Sequence, residues 1–345
     1  MMNINPAAEL LGHSIGNWKV VEKIDISNSS GGNFSFGYIV KNNTGEKAFL
    51  KALDYSTASM IPGMQAENLN KMTNAYLFER NLLEQCGRKG LRNVVRMIDH
   101  GEYRHLQSWP YAVNYLVMEK ADCSARDMLT LNASLDTLWA LNSLHGIAVG
   151  IKNLHEIDVA HQDVKPSNVL FFKDEKTSKI GDVGRASTLS IESQHDKFST
   201  AGDPAYSPFE QLYGVKFDNW RKRRYSCDAF MFGNLIMCYF NGVSITVSTL
   251  RNMDDKFLPR NWGDEYVDVL PYIEASFFQV IDSFIPMNDI SLRESLMTMI
   301  IELCHPDPNI RGDKKERGIQ KFSLQRYISH LDRLYKKYMY KVMKG

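Results

Sequence analysis

A change in hydrophobic pattern near residue 120 divides the sequence into two parts with different expected structures. From Trp18 to about Met118, short runs rich in β-branched and aromatic residues alternate with Gly, Asn and Ser turns, which is typical of a small antiparallel sheet. One stretch in this part, from Ala75 to Cys86, carries apolar residues at helical spacing. After Glu119, apolar residues recur every three or four positions, so this second part is predicted to be mainly helical.

These two patterns together predict an α+β fold of two lobes, with a ligand-binding cleft between them. We expect a single domain over 1–345, with a sheet lobe and its one main helix at 1–119 and a mainly helical lobe at 120–320. Residues 321–345 are predicted to form an amphipathic helix with a basic face. We expect this helix to dock on the helical lobe, rather than to bind a membrane surface or nucleic acid.

Composition argues against several classes of protein. Lys and Arg total 41 against 40 for Asp and Glu, so no overall field attracts nucleic acid or an anionic membrane. The five cysteines are far apart and odd in number, which fits a reducing compartment better than a disulfide framework. No secretory signal is evident, and no apolar stretch approaches the roughly 18 residues of a membrane span. We therefore expect a cytoplasmic protein without a membrane span or a nucleic-acid partner, whose oligomeric state the sequence leaves open.

The segment HQDVKPSNVLFF and the following KIGDVG carry the clearest chemical signal. They present two carboxylates and a carboxamide, Asp163, Asp182 and Asn168, on loops beside apolar strands. Phosphoryl transfer needs metal ions on the phosphates, an oriented nucleophile and cations near the developing charge, and it needs little covalent chemistry from the protein. Asp163 suits the catalytic base, and Asn168 and Asp182 suit magnesium.

HQDVKPSN and DVG resemble the H-R-D-x-K-x-x-N and D-F-G motifs of eukaryotic-like serine/threonine protein kinases. The resemblance implies transfer of the γ-phosphoryl group of ATP, with Mg²⁺, to serine or threonine hydroxyls of a protein substrate, and it is compatible with autophosphorylation. Asp163 would accept the hydroxyl proton, and Lys165 would steady the transferring phosphate. Asn168 and Asp182 would hold the metal ions.

The same resemblance assigns residues to nucleotide binding. Lys51 in AFLK would contact the α- and β-phosphates, Glu79 in FERNLLEQ would pair with it, and Met118 would face the adenine. The predicted nucleotide-binding residues are Lys51, Glu79, Gly32, Gly37, Ile39, Met118, Glu119 and Ala121.

Three more residues extend the resemblance toward the C-terminus. Glu210 in GDPAYSPFEQL resembles the glutamate of the A-P-E motif, and Arg311 in HPDPNIR resembles its arginine partner. Asp228 in CDAFMFG resembles the aspartate that braces the catalytic loop. The matched elements run in the family's order from Trp18 to Arg311.

The sequence departs from the family pattern at two loops. The glycine-rich loop aligns as Gly32, Phe34 and Gly37, with a side chain where backbone would approach phosphate. Gln162 replaces the arginine that pairs with a phosphate on the activation segment, so we predict activity without phosphorylation there.

Two further departures concern the DVG and GDPAY segments. Val183 replaces the usual phenylalanine and is predicted to be a packing change. Asp203 adds a carboxylate near the base. It could pair with Lys165 and slow turnover, or it could help to select the substrate.

Some interpretations remain open in the sequence. The basic run Arg221–Arg224 is predicted to be a solvated loop before the Asp228 helix, with a docking patch or localisation signal as the alternative. A pseudokinase and a small-molecule kinase of the aminoglycoside or choline type are the rival functions. The GDPAYSPFE segment favours a protein substrate over a small molecule.

Overall fold

The computed structural model describes residues 5–24, 35–56, 64–104, 111–131, 136–191, 193–200, 202–284 and 289–344, without the side chain of Gln194. The chain divides into two compact units, Met1–Asp122 with Asp182–Gly184 and Cys123–Gly181 with Arg185–Gly345. The first is built on an antiparallel sheet and the second is mainly helical, which confirms the predicted two-lobed α+β fold class.

The first unit contains a six-stranded sheet in the order β1-β2-β3-β4-β6-β5, with every neighbouring pair antiparallel. Its strands are β1 (Ser14–Ile15), β2 (Trp18–Ile24), β3 (Ser35–Lys41), β4 (Lys47–Leu53), β5 (Met97–Tyr103) and β6 (Val113–Glu119). Alternate residues of β4 are buried, because side chains of a strand point to opposite faces in turn. Ala48, Leu50 and Ala52 enter the core, so Lys51 is left on the other face.

Helix α1 (Gln65–Arg88) belongs to the same unit. It begins ten residues before the stretch that shows helical spacing in the sequence, because its first turns, QAENLNKMTN, are mostly polar and carry no apolar stripe. The buried stripe comes later and includes Tyr76, Leu82 and Leu83. Glu79 lies on this buried stripe, so its carboxylate is directed into the unit.

The segment before β1 also joins the first core. Ala7 and Leu10 are fully buried in the sheet's apolar cluster, and the Tyr38 hydroxyl donates to the Ala7 carbonyl at 2.7 Å. The Asn5 amide donates to the Asp54 carboxylate at 3.0 Å. This segment therefore covers one face of the sheet, although no periodic pattern in the sequence indicates it.

The second unit holds the remaining described elements. Its helices are α2 (Ala125–Leu131), α3 (Thr137–His155), α4 (Phe209–Leu212), α5 (Trp220–Asn241), α6 (Ile245–Arg251), α7 (Tyr266–Asp282), α8 (Ile290–Cys304) and α9 (Gln325–Lys344). Its short strands are β7 (Cys123–Ser124), β8 (Val159–Ala160), β9 (Val169–Phe172), β10 (Thr177–Ile180) and β11 (Ser187–Thr188). The β8–β11 and β9–β10 pairs frame the loops that carry the predicted catalytic residues.

Helix α5 is the central helix of this unit and corrects the interpretation of the basic run. The Asn219 side chain caps its first turn, and Gly242, at φ 72°, ends it in the left-handed conformation. The helix is buried almost without interruption from Arg224 to Tyr239. Arg221–Arg224 is thus not a solvated loop before the Asp228 helix but part of that helix, and Arg224 is only 1% exposed.

Helix α9 packs against α3 through the start of its apolar face, as the docking prediction required. Tyr327, Ile328 and Leu331 are buried. Residues Gly318–Phe322 before it form a 3-10 turn, so the helix begins later than the predicted 321. Toward its end Lys341 pairs with Asp289 at the start of α8.

The packing of α9 predicts a stability effect at Leu331, which is fully buried. We expect Leu331→Ala to lower the melting temperature by about 5–15 °C, because it removes a buried side chain and leaves a cavity. The matched control is Met343→Ala near the exposed end of the same helix, where the side chain is 78% exposed. Equal melting curves for the two variants would contradict docking of α9.

In the part of the chain that the structure describes, no single helix is both long and apolar enough to cross a bilayer. Only α5 and α6 taken together pass that test, and they are bent by 80°.

Candidate functional site

Lys51 forms the centre of a charged group in the first unit. Its Nζ lies 2.9 and 3.0 Å from the two carboxylate oxygens of Glu79 and 3.4 Å from Oδ1 of Asp182. Lys51 comes from β4, Glu79 from the buried stripe of α1, and Asp182 from the loop after β10. The structure thus contains the lysine–glutamate pair that the sequence predicted, with a second carboxylate beside it.

The electrostatics of this group follow from its composition. Burial alone would lower the pKa of Lys51, but the charges of Asp182 and Glu79 outweigh it and raise that pKa above its ordinary value. The ammonium is therefore charged near neutral pH. Burial and the nearby Asp182 charge raise the pKa of the Glu79 carboxyl group as well, although Lys51 lowers it.

Asp163 forms the centre of a second group, within the second unit. Its Oδ2 lies 3.0 Å from Nζ of Lys165 and accepts a hydrogen bond from Nδ2 of Asn168 at 3.1 Å. Its Oδ1 accepts the backbone N–H of Asp203 at 2.9 Å. The predicted base, its lysine and its asparagine are all buried and in contact, so the carboxylate is held in one orientation.

The loop that carries Asp163 is braced by Asp228 of α5, as its motif predicted. Asp228 is fully buried and accepts the backbone N–H groups of His161 and Gln162 at 2.7 and 2.8 Å. Burial alone would raise the pKa of Asp228, but the hydrogen bond and charge of His155, with further contributions from His161 and Gln162, hold it below the ordinary value. The carboxylate therefore stays ionised and fixes the backbone before the base.

His161 packs inside the loop that carries Asp163. It is fully buried, its Nε2 donates to the Gly181 carbonyl at 2.8 Å, and its Nδ1 accepts the Asp163 N–H at 3.3 Å. Both ring nitrogens are thus used in holding the loop. Gln162, between His161 and Asp163, has a φ of 64°. Non-glycine residues rarely adopt this conformation, and it is often kept at functional sites.

Gly202 is a residue that the sequence interpretation missed. A Cβ at this position would lie 2.2 Å from the Gln162 carbonyl oxygen and 2.8 Å from Oδ1 of Asp163. Only glycine allows the GDPAY segment to approach the base this closely. The signal available in the sequence was the glycine directly before Asp203.

Asp203 lies beside Lys165, which is the contact that one of its two sequence interpretations proposed. Its Oδ2 lies 3.7 Å from Nζ of Lys165, and its Oδ1 caps the following 3-10 turn through the Ala205 N–H at 3.0 Å. Lys165 therefore lies between two carboxylates, of which Asp163 is the nearer.

Glu210 and Arg311 form the ion pair predicted from their motifs. Two nitrogens of the guanidinium each donate to one carboxylate oxygen at 2.7 Å, and both side chains are buried. Burial alone would lower the pKa of Arg311, but the charge of Glu210 raises it. Val183 is fully buried, which confirms its interpretation as a packing residue.

Asn168 and Asp182 each carry a side-chain oxygen of the kind that Mg²⁺ binds in proteins. Nδ2 of Asn168 donates to the Asp163 carbonyl at 2.8 Å, which holds this amide within its loop. Asp182 lies beside Lys51 in the first unit. Across the described ranges, no cluster of three or more His, Cys, Asp or Glu could hold a metal alone.

The other predicted nucleotide-binding residues occupy several positions in the first unit. Gly37 pairs with Lys51 across β3 and β4, Ile39 and Met118 are buried, and Ala121 follows β6. The Glu119 side chain accepts the Arg96 N–H at 2.8 Å, which ties the end of β6 to the loop before β5. Gly32 and Phe34 lie outside the described residues.

Comparison with known proteins identifies the family. The family model for the protein kinase domain matches residues 31–322. The chain is similar to the probable serine/threonine-protein kinase HSL1 of Saccharomyces cerevisiae, 25% identical over 69% of this chain and 15% of that protein. It is also similar to the serine/threonine-protein kinase stk11 of Xenopus laevis, 27% identical over 46% of this chain and 37% of that protein. A third relative is the serine/threonine-protein kinase DCLK1 of Rattus norvegicus, 31% identical over 31% of this chain and 25% of that protein.

The matches thus span well under half the length of these relatives. The family match covers most of this chain, and the two charged groups hold the residues that the family's motifs specify. The chain belongs to the protein kinase domain family.

Proposed function

We propose that this chain transfers the γ-phosphoryl group of ATP to a serine or threonine hydroxyl of a protein substrate, with Asp163 as the catalytic base. One observation carries the proposal. The Asp163 carboxylate is held by Lys165, Asn168 and the Asp203 N–H at 3.0, 3.1 and 2.9 Å. A carboxylate positioned in this way is prepared to accept a proton from a hydroxyl group.

The reaction requires one bond to form and one to break. The substrate hydroxyl oxygen attacks the γ-phosphorus, the bond from that phosphorus to the β,γ-bridging oxygen breaks, and ADP leaves. The hydroxyl proton passes to Asp163, whose Oδ1 has a second lone pair beyond the one that accepts the Asp203 N–H. Lys165, 3.0 Å from the base, supplies positive charge for the transferring group.

The Lys51 group is proposed to hold the triphosphate. The Lys51 ammonium is kept in place by Glu79, so it is a preorganised cation for phosphate oxygens. Asp182 and Asn168 would hold Mg²⁺, which when bound neutralises charge on the phosphates. We assign Gly32, Gly37, Ile39, Met118, Glu119 and Ala121 to contacts with the nucleotide by their motif positions.

Serine and threonine specificity is supported by two observations. All three relatives named above are serine/threonine-protein kinases by name. Lys165 occupies the second position after the base and contacts it, which is the arrangement of serine/threonine kinases.

A cytoplasmic location is part of the same proposal. None of the five cysteines forms a disulfide in the structure, and four of them are buried. Unpaired thiols are typical of proteins in reducing compartments.

The test is incubation of the protein with γ-labelled ATP and Mg²⁺, with and without casein and histone as generic substrates. We expect label on serine or threonine, identified by mass spectrometry of the labelled peptides, in the added protein or in the chain itself. Label on tyrosine alone, or on a small molecule alone, would contradict the substrate assignment. ATP binding without any transfer would favour a pseudokinase.

A further inference from the structure

Arg224 of α5 is a buried cation that connects the catalytic loop to the segment after β11. Its side chain is 1% exposed, its NH2 group lies 2.5 Å from Oδ1 of Asp196, and its NH1 group donates to Oε1 of Gln162 at 3.0 Å. We propose that Asp196 and Arg224 are positioning residues for the transfer reaction, which hold residues 187–191 and 193–200 against the catalytic loop through a built-in carboxylate, without a phosphate group.

Burial of the guanidinium makes its pairing with Asp196 energetically important. A buried charge without a partner is strongly destabilising, whereas a paired and hydrogen-bonded one is tolerated. Asp196 is the carboxylate that the structure pairs with Arg224, and it comes from 28 residues earlier in the chain. Release of the segment would leave the Arg224 charge buried without this partner, so the pair favours the docked segment.

Both oxygens of the Asp196 carboxylate accept further hydrogen bonds. Its Oδ1 also accepts the Ser187 hydroxyl at 2.6 Å, and its Oδ2 accepts the Ser193 N–H at 2.7 Å within a capping box. The Ser187 hydroxyl in turn accepts the Trp220 indole N–H at 2.9 Å. Asp196 therefore links Ser187 and Ser193 of the segment to each other and, through Arg224, to α5.

Main-chain contacts strengthen this docking. Arg223, beside Arg224, donates to the carbonyl oxygens of Asp196 and Phe198 at 3.2 and 2.7 Å. The segment is thus fixed by the side-chain charge of Asp196 and by the main-chain carbonyl groups of Asp196 and Phe198.

The connection continues from Arg224 to the base through Gln162. The amide nitrogen of Gln162 donates to the Arg224 carbonyl and to Oδ1 of Asp228, both at 2.9 Å, so the whole side chain is fixed. Gln162 is directly before Asp163 and has the rare φ of 64°. An altered Gln162 conformation would therefore move the carboxylate that accepts the proton.

This arrangement also explains why residue 162 is a glutamine. The NH1 group of Arg224 lies 3.0 Å from Oε1 of Gln162, so an arginine at position 162 would bring a second guanidinium close to Arg224. Like charges repel strongly in a buried site. A neutral side chain that both donates and accepts satisfies Arg224 and Asp228 together. The ion pair next to Gln162 then takes its positive charge from Arg224 of α5 and its negative charge from Asp196.

The test uses Asp196→Asn, which removes the charge and keeps the size of the side chain. This inference rests on the proposed function, so the variant is examined by two independent measurements. In the first, we expect kcat to fall by about 100-fold, because small displacements of a catalytic group have effects of this size, with the KM for ATP little changed. In the second, we expect amide hydrogen exchange across residues 187–200 to accelerate by about tenfold or more, because charge-assisted hydrogen bonds are weakened.

The matched control is Asp158→Asn, the same chemical change at an exposed carboxylate that also pairs with an arginine of α5. Asp158 pairs with Arg221, and both side chains are more than 40% exposed. We expect kcat and exchange of this control to equal those of the wild type. Wild-type protein treated with phosphatase, and shown by intact mass to carry no phosphate, should keep its full initial rate.

A double variant distinguishes the pair from two separate roles. We expect Asp196→Asn with Arg224→Met to be no slower than the slower single variant, because both changes remove one interaction. If the fold-loss of kcat in the double variant equals the product of the two single losses, the inference is overturned. Loss of the wild-type rate on phosphatase treatment would also overturn it. If the wild type transfers no phosphate at all, the proposed function fails, and hydrogen exchange alone then decides: unchanged exchange in Asp196→Asn would overturn the positioning role.

Discussion

Asp163→Asn is expected to lower the rate of phosphoryl transfer by between about 100-fold and 10,000-fold, the range for loss of a positioned general base. An amide is nearly the same size as a carboxylate, but it cannot take the hydroxyl proton. Its Nδ2 would also face the donors Lys165 and Asn168 in place of an accepting oxygen. The measurement is the initial rate of label transfer at saturating ATP and Mg²⁺.

Nucleotide binding should survive this change. Lys51 and Glu79 are unaltered, so we expect isothermal titration to give similar ATP affinities for the wild type and Asp163→Asn. The control is Asp264→Asn at an exposed carboxylate of the same unit, for which we expect an unchanged rate. Equal label incorporation by the wild type and Asp163→Asn would mean that Asp163 is not the base and would favour the pseudokinase alternative.

The contacts around Asp163 could be predicted from sequence because the residues that make them are close together in the chain. Asp163, Lys165 and Asn168 lie on one short loop, and their mutual contacts follow from local backbone geometry. Lys51 and Glu79 are 28 residues apart, yet each lies on a regular element whose pattern is visible in the sequence. Strand alternation and helix periodicity indicate which way each side chain points.

The role of Arg224 could not be predicted in the same way. The run RKRR shows charge, but it does not show which of its members will be buried in a helix. Burial depends on partners that are 62 and 28 residues away, Gln162 and Asp196, and neither belongs to a charged pattern in the sequence. Gly202 was missed for a related reason, since its importance lies in a close approach to another loop.

The Glu210–Arg311 pair joins segments that are 101 residues apart and lies in the interior of the second unit. Besides the two bonds to Glu210, Arg311 donates to the His305 carbonyl at 3.0 Å and to the Ser226 hydroxyl at 3.1 Å. Its guanidinium also lies 4.9 Å from the centre of the Phe230 ring. This one side chain therefore connects α4, α5 and the loop after α8.

Arg311→Met should destabilise the second unit by about 3–5 kcal/mol, because the Glu210 carboxylate would stay buried without its partner. We expect the melting temperature to fall by about 10 °C or more in differential scanning calorimetry. Arg260→Gln is the matched control, since Arg260 pairs with Asp255 where both side chains are 69% exposed, and we expect a change within about 0.5 kcal/mol. Adding Glu210→Gln to Arg311→Met should restore part of the lost stability, because it removes the unpaired charge. A double variant less stable than Arg311→Met would show instead that the two residues act through separate contacts.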